Sequence, residues 1–121
     1  MMIDQFIANL FLARDVAHRE HLRTKSYSQH KALGHFYEDI AKLADKLTEA
    51  YQGRHGIVKN IPILTETEKY DSVLMCMAEK LNYIEKNRYK AIEKDDSALQ
   101  NIVDEIVGEF LSLIYKLENL K

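Results

Sequence analysis

Apolar residues along this chain recur at steps of three and four, the spacing of one face of an α-helix, and no stretch alternates with the period of two that marks a half-buried strand. Ile3, Phe6, Ile7, Leu10, Phe11, Ala17 and Leu22 trace a first helix over about residues 3–24. Ser26, followed three residues later by Gln29, is a capping-box pattern and starts a second helix over about 27–52. Its seam reads His30, Leu33, Tyr37, Ile40, Ala44, Leu47 and Tyr51, and Gly53 is expected to close it. Thr65 with Glu68 repeats the pattern before a third helix over about 66–91, with Tyr70, Leu74, Met77, Leu81 and Ile84 inward. Ser97 with Gln100 opens a fourth over about 98–119, carrying Val103, Ile106, Phe110, Leu113 and Leu117. Four amphipathic stripes of similar length predict an all-α, four-helix bundle and one domain over residues 1–121.

The connections are unequal. The first to second and third to fourth are tight, whereas the second to third spans about residues 54–66 and includes Gly56 and Pro62. Thirteen extended residues reach ~43 Å and a 25-residue helix is ~37 Å long, so this linker can cross the bundle from end to end. A crossover between parallel second and third helices, as in ferritin-like folds, is the expected topology; length alone also permits a looser up-and-down bundle.

Composition narrows the function. The 121 residues are 46% hydrophobic and 30% charged, with four Gly and one Pro, which suits packed helices rather than a disordered chain. A net charge of −2 leaves no basic excess to displace counterions from a phosphate backbone, which argues against a nucleic-acid partner. The single Cys76 excludes an internal disulfide and any CxxC site, so a reducing cytoplasm is expected. No run approaches the ~18 apolar residues of a membrane span, and the first residues carry acid where an export signal carries base.

Against this background the polar residues of the first two helices stand out. His18 and His21 lie on the first, His30 and His35 on the second, and Asp45 and Glu49 follow at i,i+4 spacing. Imidazole and carboxylate together suit iron, zinc or manganese, although each residue taken singly is ordinary helix decoration. His30, Gly34, Glu38, Ala41, Asp45 and Glu49 form one stripe beside the core seam, and its small residues admit the close approach of another helix. His30 and Asp45 are ~22 Å apart along the axis, too far to share an ion within one chain. An antiparallel twofold pairing of this helix with its mate, centred near Glu38, brings His30 of one chain to Asp45 and Glu49 of the other. In the hairpin of the first two helices His21 faces His30, while His18 lies about one turn deeper and stands as the alternate.

The segment HLRTKSYSQHKALGHFYEDIAKLADKLTEAYQG resembles the corresponding helices of the Dps branch of the ferritin superfamily, the miniferritins, and the pattern also resembles a group of small bacteriophage proteins. The miniferritin pattern is a His late on the first helix, a His early on the second, then Asp-xxx-Glu, and His30, Asp45 and Glu49 match its spacing without a gap. The resemblance implies an intersubunit iron site of the ferroxidase type, formed by His21 and His30 from one subunit with Asp45 and Glu49 from its neighbour. Three departures accompany it: Gly34 replaces a usual Asp ligand, Leu22 replaces a usual Trp, and there is no Lys-rich tail for DNA. The expectation is therefore a homo-oligomeric metal-binding protein of the cytoplasm, the host's if phage-encoded, with iron as the first ion and Fe(II) oxidation as the activity to test. The rival is a helical bundle that keeps the polar interface as a structural or interaction module and does no redox chemistry.

Overall fold

The computed structural model describes residues 2–67 and 69–121, which form four helices and, among the described residues, no strand. They are α1 (Met2–Arg23), α2 (Tyr27–His55), α3 (Val73–Ala91) and α4 (Ser97–Asn119). Each helix packs on two neighbours: α1 on α2 and α3, and α4 on the same two. The result is a four-helix bundle with α1 and α4 on one diagonal and α2 and α3 on the other.

Direction is fixed by side-chain pairs. Arg54 near the end of α2 meets Asp96 just before α4 at 2.7 Å, and Lys46 meets Glu105 at 3.5 Å, so α2 and α4 are antiparallel. Arg88 at the end of α3 binds the Gln100 side chain and Asp104 at the start of α4. Phe6 lies against Tyr83, while Val16 and Glu20 lie beside Val73 and Cys76, so α3 also runs against α1.

The core follows the periodic positions. Phe6, Ile7, Leu10, Leu33, Ile40, Leu47, Met77, Ile84, Val103, Ile106 and Phe110 are all at most 1% exposed. Phe36, which falls between the expected seam positions of α2, is equally central; its ring meets Phe110 edge-on at 4.9 Å between centroids. Two of the expected first-helix positions do not pack: Phe11 and Leu22 are 36% and 70% exposed, because they lie on the α1 stripe that turns outward beyond α2.

Helix ends differ from the expected ones where a nearer capping group wins. Ser26 caps α2 as expected, accepting from the Gln29 amide N–H. Gln29 does not complete the box; its side-chain carbonyl accepts from the Thr24 hydroxyl. Gly53 leaves α2 intact, and the helix runs on to His55 before Gly56 ends it at φ 91°, a backbone conformation that glycine adopts without a Cβ penalty. α3 begins at Val73 rather than near residue 66, because Ser72 supplies the cap to Met75 N–H. The Glu68 half of the expected Thr65 box lies outside the described residues. Asp96, not Ser97, caps α4 through the Leu99 N–H. Gln100 is thereby free to turn inward, where its buried amide donates to the carbonyls of Ile92 and Glu93 and accepts from Arg88.

The segment between α2 and α3 lies along α1. Ile57 to Asn60 border Ile3 and Asp4, Leu64 to Thr67 border Asn9 and Leu12, and Glu66 is ion-paired with the largely buried Lys80. Ala8, between those stations, is 1% exposed although it lies on the side of α1 turned away from the core. No helix among the described residues is long and apolar enough to cross a membrane.

Truncating Phe110→Ala removes the partner of Phe36 at the centre of the bundle and is expected to cost ~3–5 kcal/mol in urea unfolding. Asp96→Ala removes a cap and the Arg54 pair together, with an expected loss of ~1–2 kcal/mol. Asp96→Asn, which retains the cap, should lose less by the same measurement.

Candidate metal-binding face on α1 and α2

The tight α1–α2 turn sets His21 in the last turn of one helix opposite His30 in the first turn of the next. Their rings stack with centroids 3.8 Å apart and planes inclined by 19°. The bonding is reciprocal: His21 Nδ1 lies 2.6 Å from the His30 carbonyl oxygen, and His30 Nδ1 lies 2.7 Å from that of His21. A carbonyl oxygen can only accept, so each Nδ1 is the N–H donor. One of these bonds occupies a carbonyl in the last turn of α1, a position with no partner in its own helix. Both rings keep Nε2 as the remaining nitrogen, the tautomer that a metal-ligating histidine needs when its other nitrogen is held by backbone.

Two stacked rings do not chelate one ion. A ligand nitrogen points its lone pair within the ring plane at ~2.1 Å from a metal, and nearly parallel rings with centroids 3.8 Å apart do not aim two lone pairs at one point within that range. Each imidazole therefore addresses its own direction, and further ligands must come from elsewhere.

Gly34 explains the tightness of this arrangement. A Cβ built there would lie 3.0 Å from His21 Cε1 and 3.1 Å from His21 Nδ1, so a side chain at 34 would press on the imidazole, which would have to give by a few tenths of an ångström. His18 sits apart, stacked on Tyr37 at 4.1 Å and 10°, with its ring 6.3 Å from that of His21. Tyr37 also meets His21 edge-on at 5.3 Å, so the aromatic series runs from His30 through His21 and Tyr37 to His18. A hollow of about 270 Å³ lies outside the histidine pair, bordered by Lys31, Gly34, His35 and Glu38.

Asp45 and Glu49 are exposed on α2, beyond reach of His30 in the same chain. Among the described residues no three His, Cys, Asp or Glu side chains gather to hold a metal ion. The structure thus brings two of the four expected ligands together and leaves the two carboxylates free on the same outward side. The stacking and the closeness of residue 34 had no signal in the sequence beyond the glycine itself.

Gly108, on the open side of α4, has nothing within 4 Å of a built Cβ. Gly108→Ala is therefore expected to raise stability by ~0.5–1 kcal/mol in urea unfolding. Gly34→Ala should show no such gain, and it should change the mutual ring-current shifts of His21 and His30 in ¹H–¹³C NMR spectra.

Comparison with known proteins agrees with the expected phage relationship. The chain is 29% identical over 114 residues to an uncharacterised 14.6 kDa protein in the mobD-ri intergenic region of Enterobacteria phage T4, covering 94% of this chain and 86% of that protein. No solved structure matches this chain. The family of unknown function DUF5856 matches residues 21–117, a span that contains His21, His30, Asp45 and Glu49, and the chain belongs to that family.

Proposed function

We propose that this protein is a Dps-like, ferritin-like helical bundle that binds iron, or another divalent ion such as zinc or manganese, at sites completed by a second copy. The observation that carries the reading is the pair of Nδ1–H bonds from His21 and His30 to backbone carbonyls, which orients both rings and frees Nε2. In this reading His21 and His30 of one copy, each addressing a separate ion, face Asp45 and Glu49 of its mate, twice per twofold dimer. Imidazole suits the divalent ion and the carboxylates favour the oxidised one, so Fe(II) bound there has a ligand set compatible with its oxidation to Fe(III).

Two features of the fold support this assignment. The α2–α3 segment runs past Ile3 and Asp4, then Asn9 and Leu12, then Val16 and Glu20, as a crossover joining parallel helices would. The proposed twofold face is also apolar at its edge: Phe11 and Leu22 from α1 and Tyr27 from α2 are exposed there. An antiparallel α2 pair centred near Glu38 sets Lys31 against the partner's Asp45, an opposite-charge contact.

Anaerobic Fe(II) titration with metal analysis, followed by admission of air, tests binding and oxidation together. Stoichiometric iron is expected on the wild type and a loss of at least tenfold in affinity on His30→Ala or on Asp45→Ala. An equal mixture of the two variants, unfolded and refolded together, separates the geometries. Each mixed dimer regains one intact intersubunit site, so about a quarter of the wild-type capacity should return, whereas a site within one chain regains none. A stable dimer that takes up no metal would establish instead the rival reading of a structural or interaction module.

A further inference from the structure

We propose that Asp39 on α2 and Glu109 on α4 share a single proton and form a pH-operated clasp across the α2–α4 seam. The two residues lie on a separate side of α2 from the histidine pair, and the clasp does not depend on metal binding. Both line a cavity of about 220 Å³ between the helices, and both are partly buried. The Asp39 carboxyl stands beside that of Glu109 on this cavity, close enough to act on it both by charge and as a hydrogen-bond partner. Among the described residues neither forms an ion pair; the nearby Lys46 and Glu105 pair with each other.

Two ionised carboxylates at hydrogen-bond distance repel, and neither has a donor to offer the other. One proton converts the contact into a charge-assisted O–H···O⁻ bond, among the stronger hydrogen bonds available to side chains. The other charged or titratable groups facing the cavity are His35 from α2 and Lys116 from α4. Burial pushes the Glu109 carboxyl above its ordinary 4.5, as do the charge and hydrogen bond of Asp39, against the opposing pulls of Lys116 and His35.

The native state holds this proton more tightly than the unfolded chain does, so the clasp contributes fully below the ordinary carboxylate value. Its contribution is lost as pH rises through the raised value, when the bond becomes a repulsion. The seam held by Phe36 and Phe110 then loosens as pH rises rather than as it falls.

Carboxyl ¹³C NMR titration of the full chain reads the pair directly, and urea unfolding across pH 4.5 to 7.5 reads its effect on stability. Glu109 in the wild type is expected to titrate above 4.5 and to move down towards it in Asp39→Asn. Glu109→Gln, which keeps a donor for Asp39, should have a higher urea midpoint than the wild type at pH 7.5, with the difference closing towards pH 4.5. A Glu109 midpoint at its ordinary value, or one unmoved by Asp39→Asn, overturns the proposal. So does a wild type and Glu109→Gln pair whose urea midpoints keep the same separation at every pH.

Discussion

The 29 residues of α2 present three different surfaces at once, and the rest of the bundle is arranged around that constraint. One side carries Leu33, Phe36, Ile40, Ala44 and Leu47 into the core. A second carries His30 and Tyr37 against α1, with Gly34 letting the imidazole of His21 come close. The third faces α4 through Asp39, Lys46 and Arg54. Helical geometry distributes these faces at 100° per residue, so a substitution that serves one surface rarely disturbs another. This separation lets a small bundle carry polar chemistry beside a dry core.

The helices and most of the core were legible in the sequence because they depend on period alone. Val103, Ile106, Phe110, Leu113 and Leu117 were read from spacing and all are buried. Boundaries were less legible, since several Ser, Thr and Asp residues compete to cap the same turn and the winner depends on tertiary contacts. Asp96 outranks Ser97 at α4 while also pairing with Arg54, and Ser72 starts α3 where a residue nearer 65 was expected. Exposure of Phe11 and Leu22 was illegible for a related reason: a helix with two neighbours has more apolar positions at its margins than its core can take.

The candidate site divides along the same line. That His21 faces His30 follows from a short turn between antiparallel helices, a purely local relation. That the rings stack, and that each donates to the carbonyl beneath the other, depends on atoms at hydrogen-bonding range, which no spacing rule resolves. Asp39 and Glu109 are seventy residues apart in sequence, so only the packing of α4 on α2 brings their carboxyls together.

Gly34 ties two positions of the chain into one choice. With the His21 ring 3.0 Å from where a Cβ at 34 would stand, any side chain there requires the ring to give by a few tenths of an ångström. A larger side chain at 34 would press that ring away from its place on His30, and His18, one turn deeper and already resting on Tyr37, is the next imidazole along the helix. The closeness of His21 to His30 is in this way governed by a residue that has no side chain.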